Sequence, residues 1–137
     1  MRVALGVSGG IAAYKAAELV RLLQDKGVEV QVVMTRSARE FITPLTFAAL
    51  SGHKVITELF GEVQGSSNVE SAIEHIAVAQ AIDAFVIAPA TANVLAKMAH
   101  GIADDGVKIG QDAGSSLIAG RPREAVDAES IICRYAP

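Results

Sequence analysis

Short, almost unbroken apolar runs alternate with amphipathic segments along most of this chain, and that alternation constrains the fold more than any other feature. The runs are Val3 to Val7, Val28 to Met34 (interrupted by Glu29 and Gln31) and Ala84 to Ala88. A strand apolar at every position must be covered on both faces. Strands of that kind separated by helical segments predict a doubly wound, Rossmann-like (flavodoxin-like) parallel sheet with helices on both faces.

The segments between the runs carry helix signals. Ile11 to Lys26 has an apolar stripe that includes Leu19, Leu22 and Leu23, and Gly27 is placed to end it. Thr43-Pro44 reads as an N-cap followed by proline at the first helical position, opening a helix that closes near Gly52. Lys54-Val55-Ile56 reads as a short strand, and Gly61 to Asn68 as a polar surface loop. Ser71-Ala72-Ile73-Glu74 matches a capping box and starts a helix reaching about Ala81. A small-residue turn, Pro89 to Asn93, follows the third run and leads into a helix from Val94 to His100-Gly101.

In sheets of this kind ligands sit outside the carboxyl ends of the strands. Three turns are expected there: Ser8-Gly9-Gly10, Thr35 to Ser37, and Pro89 to Asn93. The first joins a strand directly to a helix. The free N–H groups and dipole of such a helix start favour an anion, and glycine lets a phosphate approach the backbone. Gly6-Val7-Ser8-Gly9-Gly10 is neither G-x-G-x-x-G nor a Walker loop, and Lys15 lies too deep in its helix to be a Walker lysine. The second run ends in Thr35-Arg36-Ser37, with no carboxylate to hold an adenosine ribose. A mononucleotide phosphate suits these groups better than a dinucleotide. The plainer reading of Ser8-Gly9-Gly10, a tight turn without a ligand, stays open.

The chain has 137 residues, enough for one domain with a single core. A net charge of −3 without a basic tract argues against nucleic acid as a partner. No apolar run approaches the ~20 residues that span a bilayer, and the amino terminus lacks a signal-peptide layout. The lone cysteine, Cys133, cannot form an internal disulfide and fits a reducing cytoplasm. His53, His75 and His100 are too scattered to suggest a metal site. The capping box puts His75 just inside a helix start, where the dipole favours a neutral imidazole able to take a proton. Glu74 pushes the other way. An ordinary surface histidine is the plainer alternative.

The runs GVSGGIAAYKAAELVRLL, VVMTRSAREFITPLTFAALSG and EHIAVAQAIDAFVIAPATANVLAKMAHGIADD closely resemble the flavin-dependent cysteine decarboxylase family, in order and spacing, over residues 1–105. Within it they lie nearest the branch acting on phosphopantothenoylcysteine. The resemblance implies flavin mononucleotide (FMN) as cofactor, with Gly9, Gly10 and Ile11 as the first contact. Ser37 is implied as the second contact, and Thr91, Ala92 and Asn93 as the third. It implies that His75 is the catalytic base. The implied reaction is decarboxylation of 4′-phosphopantothenoylcysteine, a small phosphorylated cysteine amide, to 4′-phosphopantetheine in coenzyme A biosynthesis. Flavin oxidation toward a thioaldehyde would let carbon dioxide leave. The family also implies a homo-oligomer, a trimer or a multiple of trimers, with flavin sites between subunits.

Beyond Asp105 the resemblance stops. The family's Pro-x-Met-Asn-x-x-Met-Trp segment, whose asparagine holds the substrate carboxylate, is missing; there is no tryptophan, and the methionines are Met1, Met34 and Met98. Cys133 lacks the surroundings of the family's flap cysteine and inherits no role. Residues 106–137 therefore read as a divergent tail with a replacement strand around Ser115 to Ala119 and a disordered end. A truncated or frame-altered gene product is favoured over a naturally abbreviated relative or an assembled sequence. With the substrate clamp missing, a non-catalytic FMN-binding regulatory protein is the second functional reading. A flavin prenyltransferase ranks below both.

Overall fold

The computed structural model describes residues 1–57, 78, 80–102 and, as backbone, 116–119. Its strands are β1 (Arg2–Val7), β2 (Glu29–Met34), β3 (Ala84–Ile87) and β4 (Ser116–Ala119). Its helices are α1 (Ala13–Asp25), α2 (Pro44–Ser51) and α3 (Ala92–Ala99). A 3₁₀ turn spans Arg36–Glu40. The strands form one parallel sheet in the order β2-β1-β3-β4, with Val3 opposite both Val30 and Ala84, and Ala84 opposite Ser116. Chain order reverses between β1 and β3, which is the switch point where doubly wound sheets open a crevice.

Both sheet faces are apolar and both are covered. Val3, Leu5 and Val7 of β1 join Val30, Val32 and Met34 of β2 under Ala16 and Val20 of α1 and Phe47 of α2. The alternate residues Ala4, Val33, Phe85 and Ile87 pack on the other face against Ala90 and Val94. Period-two side-chain direction splits the β1 and β3 runs between two half-cores, while β2, with Glu29 and Gln31 on the second face, gives that face only Val33.

The helix ends follow from local chemistry. Gly27 adopts a φ of 76°, its N–H reaching the Gln24 carbonyl (2.8 Å) while Val28 N–H reaches that of Leu23 (3.0 Å). This pair of bonds is a Schellman ending, which requires the left-handed conformation that glycine adopts without penalty. Thr43 and Pro44 occupy the N-cap and first turn of α2, and Gly52 closes it at a φ of 73°.

Several expectations shift. α1 begins at Ala13, because Ile11 and Ala12 form a turn closed by Ala13 N–H on the Gly10 carbonyl (2.9 Å). Its buried stripe is Ala13, Ala16, Val20 and Leu23, while Leu22 faces solvent. Residues 54–56 form a single parallel bridge, Ile56 to Val33, instead of a strand. There the Lys54 carbonyl accepts from the Gln31 side-chain amide (2.7 Å). α3 begins at Ala92, two residues before the expected Val94, because Thr91 caps it.

A charged cluster closes the opposite, amino-terminal rim. Arg2 pairs with Glu29 at 2.7 Å, His53 stands 3.5 Å from the same carboxylate oxygen, and Asp83 accepts the Arg2 backbone N–H at 2.7 Å.

Candidate functional site

Each of the three expected turns follows the carboxyl end of a strand, and the parallel order β2-β1-β3 brings all three to one rim. The middle turn, on β1, touches both of the others. Gly9 lies against the second turn so closely that a Cβ placed there would stand 2.5 Å from Ser37 Cβ and 2.7 Å from its carbonyl carbon, with Ser37 Oγ nearer still. Gly10 lies against the third, where a Cβ would meet Thr91 Cγ2 at 3.6 Å. Backbone bonds extend the sheet into the site: Thr35 N–H reaches the Val7 carbonyl (3.0 Å) and Ala88 N–H reaches that of Gly6 (2.9 Å).

The second and third turns are each fixed by a threonine. Thr35 is buried and its Oγ1 accepts from Ala38 N–H (3.3 Å), holding the 3₁₀ turn that presents Ser37; Thr35 Oγ1 and Ser37 Oγ are 3.2 Å apart. Thr91 Oγ1 accepts from Val94 N–H (3.4 Å) and so caps α3. Ala92 and Asn93 are therefore the first exposed residues of a helix and not part of an irregular loop.

Sequence reasoning overlooked Ser8. Its side chain is buried, its hydroxyl donates to the Pro89 carbonyl, and the same oxygen accepts from Thr91 N–H at 3.1 Å. One signal was present: a serine closing an apolar strand ahead of two glycines is buried with it, and buried hydroxyls take partners. Of the nominated residues, Gly9, Gly10, Ile11, Ser37, Thr91, Ala92 and Asn93 thus gather at one rim, with Ile11 86% exposed at its edge. His75 lies outside the described residues.

The donor set suits a flavin nucleotide. α1 begins after Ala12 with no side-chain cap and no acid in its first turn. Ala13 and Lys15 N–H are taken by the Gly10 and Ala12 carbonyls, so an anion there is favoured by the dipole and the uncapped start. The three turns contribute hydroxyls, an amide and backbone groups, with no carboxylate to repel a phosphate. Ile11 and Tyr14 stand exposed beside them and offer apolar area to a flat ring. Among the described residues no cluster of His, Cys, Asp or Glu could hold a metal ion.

Residues 1–113 match the family model described as Flavoprotein. The chain belongs to the Flavoprotein family. It is 48% identical over 104 residues to the coenzyme A biosynthesis bifunctional protein CoaBC of Vibrio vulnificus, covering 76% of this chain and 25% of that protein. It is 52% identical over 103 residues to CoaBC of Bacillus subtilis, covering 75% and 24%. The chain thus spans about a quarter of the length of the curated relatives it matches. Among solved structures it is similar to the FMN-dependent cysteine decarboxylase SpaF, with 34% identity, a TM-score of 0.71 and coverage of 85% of this chain and 65% of that one. It is also similar to a PPC decarboxylase mutant complexed with pantothenoylaminoethenethiol, with 29% identity, a TM-score of 0.63 and coverage of 85% and 63%.

Proposed function

We propose that this chain binds FMN at the three-turn rim and serves the decarboxylation of 4′-phosphopantothenoylcysteine to 4′-phosphopantetheine in coenzyme A biosynthesis. The observation that carries the reading is the mutual contact of the three turns: Gly9 against Ser37, and Gly10 and Ser8 against Thr91. The similarity to CoaBC proteins and to cysteine decarboxylases supports the choice of cofactor and reaction class.

In this reading the N–H groups of Gly9, Gly10 and Ile11 at the α1 start receive the phosphate, and the hydroxyls of Ser37 and Thr91 with the Asn93 amide hold the polyol chain. FMN, when bound, supplies the reversible two-electron chemistry that makes loss of carbon dioxide from the cysteine end feasible. His75 is the proposed base, on the strength of its place in the family pattern, and takes a proton from the substrate. Residues 1–105 form the proposed flavin-binding core and residues 106–137 a divergent tail. A cytoplasmic homotrimer is the proposed working form, because exposed Ile11 and Tyr14 leave apolar surface at the rim for a neighbouring subunit to cover.

Saturation of the purified chain with FMN is expected to leave bound absorbance at about 450 nm after desalting. Turnover of 4′-phosphopantothenoylcysteine to a product lighter by carbon dioxide, lost in His75→Asn with FMN binding retained, tests the reaction. Sedimentation of the loaded chain as a monomer would refute the trimer. The missing Pro-x-Met-Asn segment favours a second reading, a flavoprotein that binds FMN without catalysis. Flavin binding without turnover under these conditions selects it.

A further inference from the structure

We infer that Ser8 is a positioning residue: its buried hydroxyl clips the third turn to the first and so sets where Thr91, Ala92 and Asn93 stand for FMN. This deepens the flavin reading and rests on it. Ser8 is 1% exposed and Pro89 and Ala90 are buried beside it. The hydroxyl has one proton and spends it on the Pro89 carbonyl, while a lone pair takes Thr91 N–H at 3.1 Å. It therefore bridges the carbonyl and N–H of residues two apart on the same turn, both of which need partners once buried.

The Ser8 hydroxyl has no proton left to donate to a ligand and is buried from one, in contrast to exposed Ser37. Its influence runs through Thr91. That residue caps α3 by accepting from Val94 N–H and sets its Cγ2 near Gly10. A turn released at Thr91 would let the α3 start drift from the α1 start, and both are needed for one ligand to span them.

Ser8→Ala removes the bridge without adding volume. A control is Ser51→Ala, which removes another buried hydroxyl, one that accepts from His53 N–H (3.2 Å) near the opposite rim. The full chain and both variants are titrated with FMN by flavin fluorescence quenching. Visible spectra are taken at saturation, and amide exchange at Thr91 and Val94 is followed without FMN. Ser8→Ala is expected to weaken FMN binding about tenfold or more, the scale of a buried group left unpaired. It is also expected to shift the bound-flavin spectrum and speed exchange at Thr91, while Ser51→Ala binds FMN as the wild type does.

Wild-type affinity or unchanged Thr91 exchange in Ser8→Ala would overturn the inference. Equal weakening by both variants would overturn it too, because a general loss of stability would then suffice. If the wild-type chain fails to bind FMN, the flavin reading falls and this inference with it. If the wild type binds and Ser8→Ala is indifferent, this inference alone falls.

Discussion

Replacing Gly9 by alanine tests the contact between the first two turns most directly. The new methyl would stand 2.5 Å from Ser37 Cβ and 2.7 Å from the Ser37 carbonyl carbon. Carbon atoms rest at about 3.5–4.0 Å, so the two turns must part by roughly 1 Å. Rotation of the Ser37 hydroxyl does not relieve this, because the other two atoms belong to Cβ and backbone. The backbone of the second turn is itself tied down by Thr35 N–H on Val7 and by Thr35 Oγ1 on Ala38 N–H. Overpacking of this kind costs about 1–3 kcal/mol. For a chain of this size each kcal/mol lowers the unfolding midpoint by about 4 °C, so calorimetry should register a fall of about 4–12 °C. FMN affinity should drop about tenfold or more as the phosphate and polyol contacts separate. The neighbouring Gly10→Ala is the internal contrast, since its methyl would sit 3.6 Å from Thr91 Cγ2, an ordinary contact. Its unfolding midpoint should stay within about 2 °C of wild type. A Gly9→Ala chain that melts with the wild type and binds FMN equally well would refute the reasoning.

Other predictions concern the frame that carries the rim. Phe47→Ala, which empties a fully buried position in the first core cluster, should cost about 3–5 kcal/mol in denaturant unfolding, whereas Leu45→Ala, at 76% exposure, should change stability by less than about 0.5 kcal/mol. Gly27→Ala meets no neighbouring atom but keeps a φ of 76°, so a backbone penalty of about 1–2 kcal/mol is expected in the same measurement. The hydrogen bond from Arg2 holds the Glu29 carboxyl below its ordinary range, with the Arg2 and His53 charges adding to the effect. A lowered folded-state pKa means the contribution is present at neutral pH and is lost as pH falls through that value. Glu29→Gln should therefore flatten the acid limb of the melting-temperature profile slightly, and high salt should shrink the difference because the pair is exposed.

The elements that could be read from sequence are those dictated by short-range physics. Two-sided apolar runs gave the strands, Thr43-Pro44 and Gly27 gave helix ends, and their alternation gave the parallel sheet. What could not be read depends on partners distant in the chain. Leu22 and Val20 are equally apolar, but only the angle at which α1 lies on β1 and β2 decides that Val20 is buried and Leu22 is not. Residues 54–56 have strand-like composition, yet the bridge stops at Ile56 and Gln31 holds the Lys54 carbonyl. The start of α3 moved to Ala92 because a threonine side chain supplied a cap that apolar periodicity does not register. Ser8 is the sharpest case: its place at the end of an apolar strand signals burial, but its partners lie eighty-one and eighty-three positions away, so which groups it bridges is not written locally.

The small residues of the first turn follow from where β1 stands in the sheet. β1 lies between β2 and β3, so the turn that leaves it must pass between the turns that leave its neighbours. Space there is set by the strand spacing of about 4.8 Å, less than two side chains need when both project into the gap. Ser37 and Thr91 already fill the flanks, and Gly9 and Gly10 are what remains compatible with them. Ser8, one residue earlier and still within the layer, keeps a side chain because that side chain turns inward to the Pro89–Thr91 segment. The first turn is thus shaped by its neighbours before any ligand is considered, and a ligand gains from this because the walls are already in register. Perturbations on the flanks should then propagate through the centre. The double variant Ser8→Ala, Gly9→Ala should weaken FMN binding by a factor different from the product of the single losses, since both changes act on one turn. Strictly multiplicative losses would show the two contacts to be independent, and the rim to be three separate loops that happen to meet.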